Sequence, residues 1–146
     1  MTTVAHILQS KANNSVHTIS PDVTVIQAAK LMANMRVGGL VVTNDQAIVG
    51  IVTERDFARK LALIGSHCGD LLVREIMSSP VMFVRPEHTT NECMALMTEN
   101  RLRHLPVVVD DKLIGLVSIG DLVKNVISHQ QFMIEQLEHY IKGDLG

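Results

Sequence analysis

Two segments carry the residues best placed for chemistry, Gly50-Ile-Val-Thr-Glu-Arg-Asp56 and Gly115-Leu-Val-Ser-Ile-Gly-Asp121. Each sets a hydroxyl, Thr53 or Ser118, three residues before a carboxylate, Asp56 or Asp121, where a β-like run gives way to a helical pattern. Two chemistries suit that spacing. The pair can form a capping box, in which hydroxyl and acid satisfy backbone N–H groups of the first helical turn. The acid here is Asp, shorter than the usual Glu or Gln, which makes the return bond less natural. Alternatively, the helix N-terminus attracts an anion while the carboxylate accepts the two hydroxyls of a ribose. The motif alone leaves both open.

A second signal is Arg101-Leu102-Arg103-His104-Leu105-Pro106, three cationic candidates just before a strand-like run. Arg offers a planar fork to phosphate oxygens and His can add a donor; the plainer reading is a solvated basic turn. The earlier segment Val37-Gly38-Gly39-Leu40 keeps Arg36 but replaces the Arg-His pair with glycines, which carry no charge and let a backbone approach a ligand closely. Two related pockets of unequal charge are expected. Lys11 could reach a phosphate, though a solvated loop lysine is the simpler expectation.

Catalysis finds little support. There is no Gly-x-Ser-x-Gly elbow, Walker loop or His-Glu-x-x-His, and no nucleophile stands beside His104, Asp56 or Asp121. No catalytic residue is assigned, and the chain reads as a non-enzyme. His67-Cys68, Cys93 and the seven histidines match no metal-ligand spacing, so no metal site is expected. Cys93 falls on an apolar helical face and reads as core, as do most of the eight methionines.

The elements that hold these residues come in two copies. An offset of 65 residues pairs Pro21 with Pro86, Thr24 with Thr89, Arg36 with Arg101, Gly50 with Gly115 and Asp56 with Asp121, without a gap. Lead-ins precede both copies: Val4-x-x-Ile7-Leu8 matches Val73-x-x-Ile76-Met77, with four extra residues around Lys11 to Asn14 in the first. Within each copy the hydrophobic period gives strand, helix, strand, strand, helix. The short strands are Val16 to Ile19 and Val81 to Val84. Pro21-Asp22 opens the first helix, with Val25, Ala28, Ala29, Met32 and Met35 on one face; Cys93, Met94, Leu96 and Met97 form the matching face. Hairpins follow, Gly39 to Thr43 with Ile48 to Thr53, then Leu105 to Val109 with Leu113 to Ser118. The closing helices start at Glu54 and Ile119. Gly65 ends the first, while the second continues through Leu122, Val126, Met133, Leu137 and Ile141 for roughly 20 residues, an apolar stripe that needs a covering surface. A second subunit is favoured over packing back on its own domain.

The expected fold is therefore α/β (α+β), two pseudo-symmetric β-α-β-β-α repeats in one module with a long C-terminal helix. The expected boundaries are 1–65 for the first repeat, 66–72 for a linker, 73–130 for the second repeat and 131–146 for the helical extension. Of the 146 residues, 47% are hydrophobic and 19% charged, with a net charge of −2, which excludes a disordered chain. No apolar run approaches the ~20 residues of a membrane span. No secretory leader is evident, so the cytoplasm is the expected compartment. Aromatics at 3%, no Trp and a near-neutral balance argue against nucleic-acid binding.

The order of these motifs resembles a tandem pair of cystathionine-β-synthase (CBS) domains over about 120 of the 146 residues. The match is best in the second copy, through Arg103-His104-Leu105-Pro106 and Ser118 to Asp121. The chain is similar to small bacterial stand-alone CBS-pair proteins, including its ending Gln130-Gln-Phe-Met-Ile-Glu-Gln-Leu-Glu-His-Tyr-Ile141. The first copy departs by carrying Val41 where the family often has Pro. The resemblance implies a regulatory module that binds an adenine nucleotide (AMP, ADP, ATP or NAD) between the repeats and signals to a target protein. It implies one site from Thr53, Arg55, Asp56, Val81, Met82, Arg103 and His104. It implies another from Ser118, Ile119, Asp121, His17, Thr18, Ser20, Val37 and Gly38. A homodimer is expected, and a ligand-free structural adaptor is the alternative.

Overall fold

The computed structural model describes residues 2–11, 16–65 and 70–143. The His67-Cys68 pair and most of the four extra residues of the first lead-in lie outside them. The elements are α1 (Val4–Ser10), β1 (Thr18–Ile19), α2 (Val25–Met35), β2 (Gly39–Asn44), β3 (Ala47–Thr53) and α3 (Glu54–Ile64). A 3-10 turn at Val73–Glu75 then leads to α4 (Thr90–Asn100), β4 (His104–Val109), β5 (Lys112–Ser118) and α5 (Ile119–Gly143). In each repeat an antiparallel hairpin packs beside a helix: β2 pairs with β3 and β4 with β5 in matching register. The hairpins turn through Asp45-Gln46 and Asp110-Asp111, all four with positive φ, as a tight two-residue connection requires.

The duplication extends to the way the helices begin and end. Thr24 and Thr89 cap α2 and α4 through reciprocal bonds with Gln27 and Glu92. The helices therefore start later than Pro21 and Pro86, because a Thr with Gln or Glu three residues on caps better than the preceding Pro-Asp turn. Both end on an arginine in the left-handed region, Arg36 at φ 57 and Arg101 at φ 55.

The short strands are less equal. β1 is confined to Thr18 and Ile19, parallel to β2. Its counterpart at Val81 to Val84 is not a strand: only Val84 bridges Val107. Val84 nevertheless hydrogen-bonds on both sides, to Pro106 O and from Val108 N, each at 2.9 Å.

The lead-ins are exchanged between the repeats. Val4, Ile7 and Leu8 pack with Val84, Cys93, Leu105 and Val117 of the second repeat. Val73, Ile76 and Met77 pack with Met32, Leu40, Val42 and Val52 of the first. The backbone bonds repeat the pattern: Val4 N donates to His88 O at 2.8 Å, and Val73 N to Val23 O at 2.9 Å. Gly50 and Gly115 make room for the incoming side chains. A Cβ there would stand 2.5 Å from Met77 Sδ and 2.8 Å from Leu8 Cδ2. Each core thus closes with a segment borrowed from the other copy, which ties two units of marginal size into one module. Cys93 is fully buried on α4, and burial raises its thiol pKa, as expected of a core cysteine.

The last helix is longer than the sequence period suggested, at 25 residues. Leu122 is buried in the second core, but every residue from 127 to 143 is exposed. No helix among the described residues is long and apolar enough to cross a membrane.

Candidate functional site

Both Ser/Thr-to-Asp motifs sit at a strand-to-helix junction, and both form capping boxes. Thr53 Oγ1 accepts from Asp56 N at 3.2 Å, while Asp56 Oδ2 accepts from Thr53 N at 2.9 Å. Ser118 Oγ accepts from Asp121 N at 3.2 Å, and Asp121 Oδ2 from Ser118 N at 2.9 Å. The return bond, expected to be less natural for the shorter Asp, is present at both junctions at 2.9 Å. Capping also leaves chemistry to spare: each box uses one carboxylate oxygen.

The two junctions open onto two clefts related by the duplication. The first, about 200 Å³, is lined by Thr53, Arg55, Asp56, Val81, Met82, Arg103 and His104, all seven residues expected together from the sequence. Ile51, Ser78 and Leu102 extend its wall. Arg59 and Arg101 line it as well, which gives four guanidinium groups against the carboxylates of Glu54 and Asp56. The resemblance implies neither Arg59 nor Arg101 for this site, although Arg101 opens the cationic run that ends at His104. Arg59 lies four residues beyond Arg55 on α3, a helical spacing that would have placed both on one face. Arg101 carries a backbone signal: its position is one that glycine occupies more easily. Arg36 repeats that geometry and lines the second cleft.

The second cleft, about 340 Å³, brings together His17, Val37, Gly38, Ser118 and Asp121 from the expected set. Thr18, Ser20 and Ile119 do not line it. Thr18 is exposed on the outer side of β1, Ser20 bonds Asp22 N in the turn before α2, and Ile119 is 44% exposed. The cleft is instead lined by Val16 and His17, just before β1 begins at Thr18. Lys11 was expected to be solvated, and it is not. Its Nζ lies 3.0 Å from Asp121 Oδ2 and donates to Leu116 O at 2.9 Å. A charged group half-withdrawn from water takes the nearest carboxylate and carbonyl.

His104 and Gly38 line both clefts and form the partition between them. The imidazole packs over the two glycines of the first repeat. A Cβ on Gly39 would come within 3.2 Å of the ring, and one on Gly38 within 3.7 Å. The glycines therefore make room for this side chain, while Gly38 still faces both clefts. His104 Nδ1 is buried without a partner among the described residues. Burial is the largest influence on the ring and lowers its pKa; Lys11 and Arg103 reinforce this, while Asp121 and Glu54 oppose it. The Arg-His run thus supplies guanidinium groups to the cleft, with a ring biased toward neutrality behind them. Among the described residues no cluster of His, Cys, Asp and Glu could hold a metal ion.

The model of the CBS domain matches residues 4–63 and 73–128. The mitochondrial CBS domain-containing protein CBSX3 of Arabidopsis thaliana is 39% identical over 150 aligned residues, covering 97% of this chain and 73% of that protein. The structure of a signal-transduction protein with CBS domains from Burkholderia ambifaria aligns at 50% identity and a TM-score of 0.83, over 88% of this chain and 96% of that one. The CBS domain pair of protein MJ0100, solved with 5′-methylthioadenosine and S-adenosyl-L-methionine, shares the fold at 22% identity and a TM-score of 0.76. That alignment covers 89% of this chain and 98% of that one.

Proposed function

This chain belongs to the CBS-domain family, and from that premise we propose that it is a regulatory module binding an adenine nucleotide in the first cleft. The observation that carries the reading is the composition of that cleft. An adenine ring needs an apolar slot, a ribose a carboxylate, and phosphates a cluster of cations. Val81, Met82, Ile51 and Leu102 supply the first, Asp56 beside Thr53 the second, and Arg55, Arg59, Arg101 and Arg103 the third. Only one oxygen of Asp56 is used in capping, which leaves Oδ1 for a ribose hydroxyl. The excess of guanidinium groups favours ATP, ADP, AMP or NAD over S-adenosylmethionine, whose sulfonium end is itself cationic. MJ0100, with its bound adenosine compounds, supports the ligand class at the level of the fold. The module does no chemistry in this reading. Its ligand acts by binding two states of the repeats unequally, and a target protein reads the difference.

The same reading takes a second copy of the chain as the surface that covers α5. Val123, Ile127, Ile134, Leu137 and Ile141 are between 49% and 61% exposed. With Gln130 they recur at alternating intervals of four and three, the seam of a two-helix contact. A purely structural adaptor would need only this seam, and the two readings separate in one measurement. Thermal unfolding with AMP, ADP, ATP, NAD and S-adenosylmethionine should give a selective rise, about 2.7 kcal/mol of stabilisation at 100 times the dissociation constant. The rise should vanish in Asp56→Ala. No shift with any compound would leave the adaptor.

A further inference from the structure

The two clefts differ in one group beyond their arginines. The alignment that matches the lead-ins, Val4 with Val73 and Leu8 with Met77, also matches Lys11 with Pro80. Through the exchange of lead-ins each of these two lines the cleft at the other copy's junction, Lys11 the second and Pro80 the first. The carboxylate facing Pro80 is Asp56, whose recorded partners both belong to Thr53. The carboxylate facing Lys11 is Asp121, and the ammonium sits on it at 3.0 Å. The backbone repeats the contrast. Ile51 exchanges two hydrogen bonds with Ser78, at 3.1 and 2.8 Å, so the second lead-in is held by its main chain. Leu116, the counterpart of Ile51, has its carbonyl bound by Lys11 Nζ instead.

We infer that Lys11 is an internal cation that neutralises the carboxylate of the second cleft, so that the module takes ligand in the first cleft alone. This rests on the nucleotide reading above. The ammonium pairs with Oδ2 of Asp121, the oxygen that also accepts from Ser118 N, so it takes the charge of the carboxylate rather than its Oδ1. A carboxylate already neutralised by a half-buried ammonium is a weaker acceptor for a ribose hydroxyl, and pulling the pair apart would leave a charge unpaired. Lys11 is therefore the residue that makes two pseudo-equivalent clefts unequal. The chain contributes its own counter-ion to one and leaves the other open.

Two variants break the lock from opposite ends. Lys11→Met keeps the aliphatic stem, and Asp121→Asn keeps an oxygen for the Ser118 cap. Calorimetric titration with AMP and with ATP should give one molecule per chain for the parent and two for Lys11→Met. Adding Asp121→Ala to Lys11→Met should return the count to one. Two molecules per chain in the parent, or one in both proteins, would overturn the inference. Amide exchange without any nucleotide supplies an independent arm. Both single variants should exchange several-fold faster at Val37 to Gly39 and at the first turn of α5, with the cores unchanged. If neither parent nor variant binds a nucleotide, the nucleotide reading fails. The lock then stands on faster exchange alone and falls if exchange is unaltered.

Discussion

The imidazole of His104 lies over Gly39, the residue that occupies its own position in the first repeat: a Cβ there would stand 3.2 Å from the ring. Two equivalent positions meet at the partition between the clefts, and only one of them can carry a side chain. Gly39→Ala should therefore push the ring aside and destabilise the fold by about 1 kcal/mol, the low end of overpacking costs. Gly38→Ala meets the ring at an ordinary 3.7 Å and should cost less. Urea unfolding of the two variants makes the comparison, and equal costs would mean that the ring is not the obstacle.

The same ring gives stability a pH dependence of defined sign. Burial, reinforced by Lys11 and Arg103 and opposed by Asp121 and Glu54, holds its folded pKa below the ordinary 6.5. Between those two values the unfolded chain binds more protons than the native one, so stability rises with pH there. The contribution is present above 6.5 and is lost as pH falls through that value toward the lowered folded pKa. His104→Leu removes the titration, and its stability difference between pH 7.5 and pH 5.5 should be smaller than the parent's.

Gly50 and Met77 report on the exchange of lead-ins. A methyl group at Gly50 would meet Met77 Sδ at 2.5 Å and Ser78 O at 3.1 Å, so Gly50→Ala should cost roughly 1–3 kcal/mol. Met77→Ala opens a cavity at the same place. The double variant should cost clearly less than the two singles together, since each removes the other's fault. Strict additivity in chemical denaturation would show that the lead-in does not depend on that glycine.

Truncation tests the seam on α5. A chain ending after Gln130 keeps Leu122 in the core but loses Ile134, Leu137 and Ile141. It should fold with nearly unchanged stability per chain and scatter light as a monomer, where the full chain is expected to scatter as a dimer. An unchanged mass would assign the dimer contact, if any, to other surfaces.

Much of this was legible in the sequence, for reasons that differ by element. Hairpins and closing helices were placed within a residue or two because alternation, turn residues and Ser/Thr caps act locally. The grouping of Thr53, Asp56, Val81 and Arg103 in one cleft came from the resemblance to CBS pairs, since a repeat alone does not say how its copies face each other. The failures were non-local. Val81 to Val84 has the composition of a strand but finds only one bridging partner, at Val107. The glycines at 38 and 39 make room for His104, which lies 65 positions beyond Gly39, a contact the local sequence gives no sign of. Lys11 looked solvated because its partner, Asp121, lies 110 residues along the chain.

Arg101 connects backbone strain to binding, and it can be made to separate the two. Its φ of 55 ends α4 in the left-handed region, where a residue with a Cβ costs roughly 1 kcal/mol more than glycine. Nothing in the helix cap needs the side chain, because the cap bond runs from the Arg101 N–H to Met97 O. Arg101 instead lines the first cleft. Arg101→Gly should therefore raise the unfolding midpoint by a few degrees while weakening ATP binding by about tenfold, the loss of one charge-assisted contact. Arg101→Ala separates the effects, since it removes the guanidinium but keeps the strained Cβ: binding should fall as far, with no gain in stability. If Arg101→Gly stabilised the fold and bound ATP as tightly as the parent, the strain would have no functional counterpart at this cleft. If both variants lost binding and only the glycine gained stability, the strained cap would be retained for the ligand it serves.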